Sequence, residues 1–458
     1  KYLAQWMVHG QTEINVREMD PRRFGDWANG RYALDKSIDE YEQMYATHYP
    51  GEFREAGRPV NTTPIYKKLK AQGAVFAETF GWERAKWFDN KSEGEKYSFR
   101  RNNSFDTVAE ECRAVRERVG LIDLSSFTKY EISGEDAESF LGRICANRLP
   151  KQEPDISGKG GVALVHMLTE LGGIECEATL TRLDKNLFYM LSAAVAELHD
   201  YDWLDQHLLP DEKVTIRNVS NDYGILVLTG PRSRDVMSKL TDADLSNEAF
   251  RWMQAKNIEV SGIPLRALRV SYVGELGWEL HHPLEKMEAL YDTLLEAGSE
   301  YGIANFGTYA MNSLRMEKAY KGWGSELTTE ITPIEAGLER FVDFNKYFLG
   351  REATLSRKLL GVNTKLVYVS VKTTDSDCLG NEPVLDLESS ETDRKIIGVT
   401  TSGAYGHTVG MSLAFAYVQP QYTEPGTKLD IRILGQNCQA TVLKEAAYDP
   451  KNFRLRDI

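Results

Sequence analysis

The stretch "SYVGELGWELHH", Ser271–His282, places a tyrosine and a glutamate on either side of a short turn that contains glycine. If Val273 and Trp278 close a four-residue turn, the next facing pair is Tyr272 and Glu279. Cross-strand partners have Cβ atoms roughly 5 Å apart, so the phenol and the carboxylate would project together from one face of a hairpin. Trp278 would point the other way, into a core. The pattern predicts either a ligand-binding pair or a solvated strand face.

A second acidic strand is predicted in "LTELGGIECEATLTRL", which covers residues 168–183. Its alternation with a period of two sends apolar side chains to one side and polar side chains to the other. The polar side holds Glu175, Glu177, Thr179 and Thr181. A solvated strand face would give the same alternation. Neither Glu177 nor Glu279 identifies a function by itself.

Composition limits the classes of protein that the chain can belong to. Its 458 residues predict two to four domains. A net charge of -13 argues against a general binder of nucleic acid or anionic membranes. The absence of any run of 18 apolar residues argues against a membrane span. Five scattered cysteines without a CxxC motif indicate reduced thiols, as in the cytoplasm or the mitochondrial matrix, and the dispersed histidines predict no metal site.

The chain divides into regions that differ in composition and in predicted secondary structure. Residues 1 to about 90 are rich in aromatic residues, and a polar stretch near 90–105 indicates a boundary. Three strands separated by "TELGG" and "DKN" predict a meander over residues 161–193. From residue 362 onward, short strands separated by Gly and Pro predict a β-barrel or sandwich. The fold class is therefore predicted to be α+β.

Taken together, these stretches resemble the folate-dependent aminomethyltransferase family, whose type member is the T-protein of the glycine cleavage system. The resemblance covers about residues 95–450. The motifs that carry it occur in the family's order: "VGLIDLSSFTKYEISGEDAESFL", "GGIECEATLTRL", "YVGELGWEL", "NSLRMEKAYKGWGSELTTEITPIEAGL" and "GVTTSGAYGHTVGMSLAFAYV". The resemblance implies the T-protein-like folate-binding fold with a C-terminal β-barrel domain.

The N-terminal part is similar to dimethylglycine and sarcosine dehydrogenases. "WMVHGQTEINVREMDPRRFG" resembles the end of their FAD domain, and "YPGEFREAGRPVNTTPIYKKLKAQGAVFAETFGWERAKWF" resembles the small linker domain that follows it. The chain begins without Met, within a predicted helix, which suggests a piece of a longer protein. The resemblance implies four parts: an FAD-oxidoreductase tail (1–24), a linker domain (25–94), a folate-binding domain (95–361) and a barrel domain (362–458).

The resemblance also implies roles for particular residues. Glu279 matches the glutamate that binds the pterin ring, and Tyr272 matches the tyrosine of the preceding strand; the two residues are expected to hold the pterin together. Glu177 matches the active-site acid, which is usually Asp in this family. An arginine of the T-protein falls on Met311 here, while Arg315 matches the arginine that follows and is expected to support structure. Arg182 and Arg269 are other candidate cations for the site.

The implied function is one-carbon transfer to tetrahydrofolate. The one-carbon unit would come from oxidative demethylation of a small N-methylated amine. FAD would be bound by a missing N-terminal domain or a partner chain, and the product would be 5,10-methylenetetrahydrofolate. Two alternatives remain open: a flavin-free folate-dependent demethylase, and a non-catalytic regulatory subunit of the pyruvate dehydrogenase phosphatase type. No nucleic-acid or membrane partner is expected.

Overall fold

The computed structural model describes residues 1–10, 12–151, 161–387 and 394–457, without the side chain of Arg22. Across these residues, no helix is both long enough and apolar enough to cross a membrane. The described residues form an α+β fold with three parts: an N-terminal segment, a body with two sheets, and a C-terminal barrel.

The N-terminal segment contains exposed helices followed by a hairpin that packs on the body. Its elements are α1 (Tyr2–His9), α2 (Gly30–Gln43), α3 (Tyr66–Ala71), β1 (Ala74–Thr79) and β2 (Trp82–Phe88). Helices α1 and α2 bury no residue. In contrast, Trp87 of β2 is 1% exposed and packs in a cluster with residues of the body. This hairpin therefore shares the core of the body.

The body contains a six-stranded and a five-stranded sheet. Its first elements are α4 (Phe105–Glu117), β3 (Val119–Asp123), β4 (Thr128–Ser133), α5 (Ala137–Ile144), β5 (Val162–Leu168), β6 (Ile174–Asp184), β7 (Leu187–Ser192), α6 (Glu197–Gln206), β8 (Thr215–Asn218) and β9 (Tyr223–Thr229). Its later elements are α7 (Ser233–Met237), β10 (Ala255–Val260), β11 (Ile263–Leu268), β12 (Gly277–Pro283), α8 (Met287–Gly298), β13 (Ile303–Asn305), α9 (Thr308–Glu317) and α10 (Arg351–Leu360). The strand orders are β10-β11-β12-β9-β3-β13 and β5-β6-β7-β4-β8.

The C-terminal strands close into a barrel, as the sequence predicts. They are β14 (Lys365–Val371), β15 (Pro383–Leu385), β16 (Ile396–Gly406), β17 (Met411–Val418), β18 (Lys428–Ile433) and β19 (Gln436–Val442), and a short helix, α11 (Phe453–Arg456), follows. Their order around the barrel is β14-β17-β16-β15-β18-β19. Arg315 of α9 ties the barrel to the body, because its guanidinium donates to Ser402 Oγ at 3.0 Å.

The predicted register of the hairpin is wrong. Glu279 pairs with Leu268, not with Tyr272, and residues 269–276 form a long loop outside the ladder. The chain separates from β12 at Arg269. The backbone N–H of Arg269 donates to the carbonyl of Gln254, and its carbonyl accepts from the N–H of Met253. The loop then folds inward, and Glu275 is completely buried.

A buried ion cluster holds this loop. Arg116 of α4 donates to the carbonyl of Val273 at 2.6 Å and lies 3.2 Å from Glu275. The same guanidinium donates to Glu317 of α9 at 2.8 Å. Glu275 also accepts from Tyr448, which follows the barrel, at 2.8 Å. The cluster thus connects the loop before β12 to two helices and to the C-terminal segment.

Removing the arginine should leave the buried carboxylate of Glu317 without its cation, and Glu275 with only Arg454, which lies 3.2 Å away and is 43% exposed. We expect Arg116→Met to lower the free energy of unfolding by about 3–5 kcal/mol, because an unpaired charge would remain buried. Urea denaturation measures this loss. Arg113→Met is the matched control, since Arg113 lies half-exposed on the same helix and its pairing with Glu110 should contribute no more than about 1 kcal/mol. Equal losses in the two variants would contradict the assignment.

Candidate functional site

The two sheets of the body face each other, and their contact frames the site. Leu191 of β7 packs in one cluster with Val227 of β9. Next to this contact, Tyr189 Oη lies 2.9 Å from His281 Nδ1 on β12. Successive side chains alternate between the faces of a strand. The polar residues of β6 therefore lie on the same sheet face as Tyr189, and Glu279 lies on the same face as His281.

Glu279 projects from the six-stranded sheet. Only 14% of its side chain is exposed, and Oε2 lies 3.3 Å from His281 Nε2. Burial lowers the pKa of His281 and raises that of Tyr189, so we assign a neutral ring and a neutral phenol. The phenol then donates to Nδ1, and Nε2–H donates to Glu279. Among the described residues, His281 is the only hydrogen-bond partner of this carboxylate, which leaves Oε1 available for a ligand.

Glu177 projects from the five-stranded sheet and pairs across β5 and β6 with His166. The Oε2 atom of Glu177 lies 3.0 Å from His166 Nε2, and 18% of the glutamate side chain is exposed. Asn147 fixes the orientation of this contact. Its Oδ1 accepts the N–H of His166 at 2.6 Å, and its Nδ2 donates to the carbonyl of Leu164 at 3.1 Å.

These backbone contacts determine the histidine tautomer. A backbone N–H can only donate and a carbonyl can only accept, so the amide of Asn147 has one consistent orientation. Its Nδ2 then also donates to His166 Nδ1, which lies 3.3 Å away. Since Nδ1 accepts, the ring proton is on Nε2. His166 therefore donates to Glu177 and orients the carboxylate.

Tyr272 lies outside the ladder, near Glu177. Its ring stacks on Tyr320 with centroids 6.2 Å apart, and its hydroxyl donates to the carbonyl of Lys321 at 3.1 Å. Desolvation of the phenol, together with the negative charges of Glu177 and Glu326, raises the pKa of Tyr272 to about 12, although 38% of the residue is exposed. The sequence predicted that Tyr272 faces Glu279; the structure instead brings it into the neighbourhood of Glu177.

A charged cluster lies beside Glu177 on β6. His199 Nε2 lies 2.6 Å from Glu175, and its Nδ1 lies 2.9 Å from Asp200. Burial alone would lower the pKa of His199, but the hydrogen bonds that its ring donates to the two carboxylates outweigh burial and raise the pKa to about 9. Trp323 donates to the carbonyl of Glu175 at 2.9 Å, and the guanidinium of Arg17 lies 4.0 Å above its indole ring. This cluster joins the N-terminal segment to the wall that carries Glu177.

The two candidate cations from the sequence have other partners. Arg182 makes a bidentate pair with Glu138, at 2.9 and 2.7 Å. Arg269 is buried and donates to the backbone carbonyl of Phe250. A cation that the sequence did not single out is Arg266 of β11, whose Nε and Nη1 are buried and have no hydrogen-bond partner among the described residues.

The donor set suits a flat heterocycle with N–H groups and a carbonyl, as in the pterin of tetrahydrofolate. Glu279 offers an open acceptor, and Arg266 offers unpaired donors. The hydroxyl of Thr181 is also buried, opposite Tyr189, and has no hydrogen-bond partner among the described residues. Within the described ranges, no group of three or more His, Cys, Asp or Glu side chains could hold a metal ion.

The histidines could have been found from the sequence. In "GWELHH", alternation puts His281 on the same face as Glu279. In the meander, pairing around the "TELGG" turn brings His166 opposite Glu177. Neither pattern reveals the tautomer, because the group that fixes each ring lies elsewhere: Tyr189 on the other sheet for His281, and Asn147 outside the strands for His166.

Comparison with known proteins assigns the family. Residues 65–346 match the GCVT N-terminal domain, and residues 365–449 match the glycine cleavage T-protein C-terminal barrel domain. This chain belongs to the GCVT family. Residues 9–63 also match the FAD dependent oxidoreductase central domain.

The GCVT relatives include a dehydrogenase and a regulatory protein. The chain is 39% identical over 464 residues to the mitochondrial dimethylglycine dehydrogenase of Rattus norvegicus, covering 100% of this chain and 52% of that protein. It is 34% identical to the mitochondrial pyruvate dehydrogenase phosphatase regulatory subunit of Mus musculus, covering 91% of this chain and 48% of that protein. The chain thus spans about half the length of these relatives.

A solved structure confirms the predicted fold. The glycine cleavage system aminomethyltransferase T of Bartonella henselae superposes with a TM-score of 0.70 at 24% identity. The match covers 85% of this chain and 98% of that structure. The GCVT chain therefore has the aminomethyltransferase fold with a C-terminal barrel.

The charge state of His199 should make stability depend on pH. Its folded pKa of about 9 exceeds the ordinary value of 6.5, so its contribution is complete below pH 6.5 and is lost as pH rises through 9. Urea denaturation between pH 6 and 9.5 should show a decline in the free energy of unfolding that His199→Gln flattens. The exposed His48→Gln variant should keep the parent slope. If His199→Gln also keeps that slope, His199 is not charged by this cluster.

Asn147→Asp should change which ring nitrogens of His166 carry a proton. An aspartate offers only acceptors toward His166 Nδ1, so this nitrogen should become protonated, whereas it carries no proton in the parent. Selective ¹⁵N labelling of the eight histidines and NMR of their ring nitrogens measures the difference, and His166→Gln assigns the signal. A protonated Nδ1 in the parent would show that the tautomer is assigned incorrectly.

Proposed function

We propose that this chain transfers a one-carbon unit to tetrahydrofolate, using an iminium or formaldehyde produced by oxidation of an N-methylated amine. Membership of the GCVT family supports folate-dependent one-carbon chemistry in general. The observation that carries the proposal is the largely buried carboxylate of Glu279, which has one histidine partner and one open oxygen. Two carboxylate oxygens suit the two adjacent N–H donors of a pterin edge.

The proposed roles divide between the two sheets. Glu279 holds the pterin, and Glu177 acts at the folate nitrogens where the one-carbon unit is received. Tetrahydrofolate supplies two amines, and when a methylene joins them, both lose a proton. With an iminium donor, Glu177 accepts one proton and returns it to the departing amine, and the second proton passes to solvent; with formaldehyde, both protons leave with its oxygen as water. His166 keeps the carboxylate oriented. Tyr272 helps to close the site near Glu177.

The source of the one-carbon unit is proposed to be a flavin-dependent oxidation of a dimethylglycine- or sarcosine-like amine. The match of residues 9–63 to an FAD dependent oxidoreductase domain and the similarity to dimethylglycine dehydrogenase support this source. FAD would be held by a further domain or a partner subunit, in the mitochondrial matrix or the cytoplasm. We also propose domain limits of 1–24, 25–94, 95–361 and 362–458, although the matched regions meet near residue 64 rather than at 94.

A regulatory role is the second candidate function. The similarity to the pyruvate dehydrogenase phosphatase regulatory subunit favours it, because that relative aligns with 91% of this chain. The arginine of the resembling T-proteins is also replaced by Met311. A regulatory protein would not need to bind tetrahydrofolate. Isothermal titration that detects no binding at millimolar tetrahydrofolate, in a folded sample, would select this function and reject the first.

Substitution of the two acids should separate binding from turnover. Glu279→Ala should weaken tetrahydrofolate binding by roughly 1.5–3 kcal/mol, since a charge-assisted hydrogen-bond pair is lost. Glu177→Ala should affect binding less than the catalysed formation of 5,10-methylenetetrahydrofolate from formaldehyde and tetrahydrofolate. Titration calorimetry and the rate above the uncatalysed reaction provide the two readouts. Glu285→Ala, at an exposed position after β12, should change neither. Parent-like turnover in Glu177→Ala would refute its role.

A further inference from the structure

Arg266 lies beside Glu279 on the same wall of the site. It pairs across β11 and β12 with His281, while Leu268 pairs with Glu279. Cross-strand partners project from the same face of a sheet, so Arg266 and Glu279 are diagonal neighbours. The side chain of Arg266 is only 12% exposed. Its charge therefore lies inside the protein and next to the proposed pterin-binding carboxylate.

The guanidinium is held in place, but its donors are not used. It stacks over the ring of Tyr189 at 4.3 Å, and a second ring, Tyr223, lies at 5.6 Å. Glu131 is 3.9 Å from Nη2, beyond hydrogen-bond distance, and already accepts from Arg217 at 2.7 Å. The Nε and Nη1 atoms are buried without a hydrogen-bond partner.

Unpaired buried donors are costly, so an acceptor is expected at this position. A buried donor without a partner costs about 1–3 kcal/mol, and a charged one costs more. The aromatic stacking fixes the plane of the guanidinium. Because Nε and Nη1 are enclosed, an acceptor would reach the group from the side of Nη2, where its remaining exposure lies. Glu279 does not supply that acceptor, since its described partner is His281. The acceptor must come from the ligand or from water.

We propose that Arg266 binds the ring carbonyl oxygen of the pterin and makes the site specific for 4-oxo pterins. This inference rests on the proposed function. The relevant pterin edge presents, in order, an amino group, a ring N–H and a carbonyl oxygen. Glu279 supplies acceptors for the first two groups, and Arg266 supplies the donor for the third. A ring with an amino group in place of the carbonyl presents a donor to Arg266 and also lacks the ring N–H that Glu279 accepts, so both residues disfavour it, and the part that depends on Arg266 is measured by the change in preference on its substitution.

The test compares tetrahydrofolate with its 4-amino-4-deoxy analogue, which keeps the same benzoyl-glutamate tail. Titration calorimetry of the parent chain should show tighter binding of tetrahydrofolate. Arg266→Met should raise the dissociation constant of tetrahydrofolate roughly 10- to 100-fold, as expected for loss of a hydrogen bond to a charged group. The same variant should raise the dissociation constant of the analogue much less. The ratio of the analogue's dissociation constant to that of tetrahydrofolate should therefore fall.

Two further variants control the interpretation. Arg217→Met removes the other arginine near Glu131 from an exposed position, and it should change both dissociation constants less than about threefold. Arg266→Lys keeps one cationic donor and should retain part of the preference for the 4-oxo ring. Thermal unfolding confirms that each variant is folded. If Arg266→Met does not fold, the preference of Arg266→Lys decides the question.

The outcomes separate this inference from the proposed function. If the parent binds no tetrahydrofolate, both fail together. If the parent binds and Arg266→Met keeps the affinity and the preference, the unpaired donors are satisfied by water, and only this inference is overturned. Equal weakening of both ligands would place Arg266 against the shared tail and would also overturn the assignment to the carbonyl oxygen.

Discussion

The buried guanidinium of Arg116 is the constraint on which the geometry of the site depends. It is bonded to Val273, near Glu275 and paired with Glu317, so three separate segments share one charge. A buried charge is tolerated only where its pairing is nearly complete. The loop of residues 269–276 therefore cannot move without exposing or unpairing charges. Since this loop leads directly into β12, the cluster fixes where Glu279 enters the space between the sheets.

Each proposed active acid is oriented by a histidine whose second nitrogen is occupied. Tyr189 occupies Nδ1 of the histidine beside Glu279, and Asn147 occupies Nδ1 of the histidine beside Glu177. In both arrangements, Nε2–H donates to the carboxylate. The other ring nitrogen contacts a neutral group and not a second carboxylate. His199 differs because both of its nitrogens face carboxylates, and its pKa rises to about 9. Neutral partners orient an acid for binding or proton transfer, whereas a charged partner forms a structural ion cluster.

Local patterns predicted most of the fold. The alternation in β6 correctly placed Cys176 in the core and Glu177 on the opposite face, and the spacing of the C-terminal strands predicted the barrel. The predicted hairpin register was wrong because the backbone of Arg269 bonds to a neighbouring segment and Glu275 turns into the buried cluster. Such interactions join residues far apart in the chain, and no local period encodes them. For the same reason, the sequence could point to Glu177 and Glu279 but not to Arg266.

The distribution of charge around the site suggests how this chain compensates for Met311. Where the resembling T-proteins have an arginine on α9, Met311 packs against an apolar cluster, so no cation can act from that position. Arg315 does not replace it, because its guanidinium bonds to Ser402 of the barrel. Arg266 of β11 lies next to Glu279 and has buried donors with no hydrogen-bond partner among the described residues. We infer that the cation has moved from the helix to the sheet. Because Arg266 lies diagonally across from Glu279, its charge would favour recognition of the ring that this carboxylate is proposed to hold.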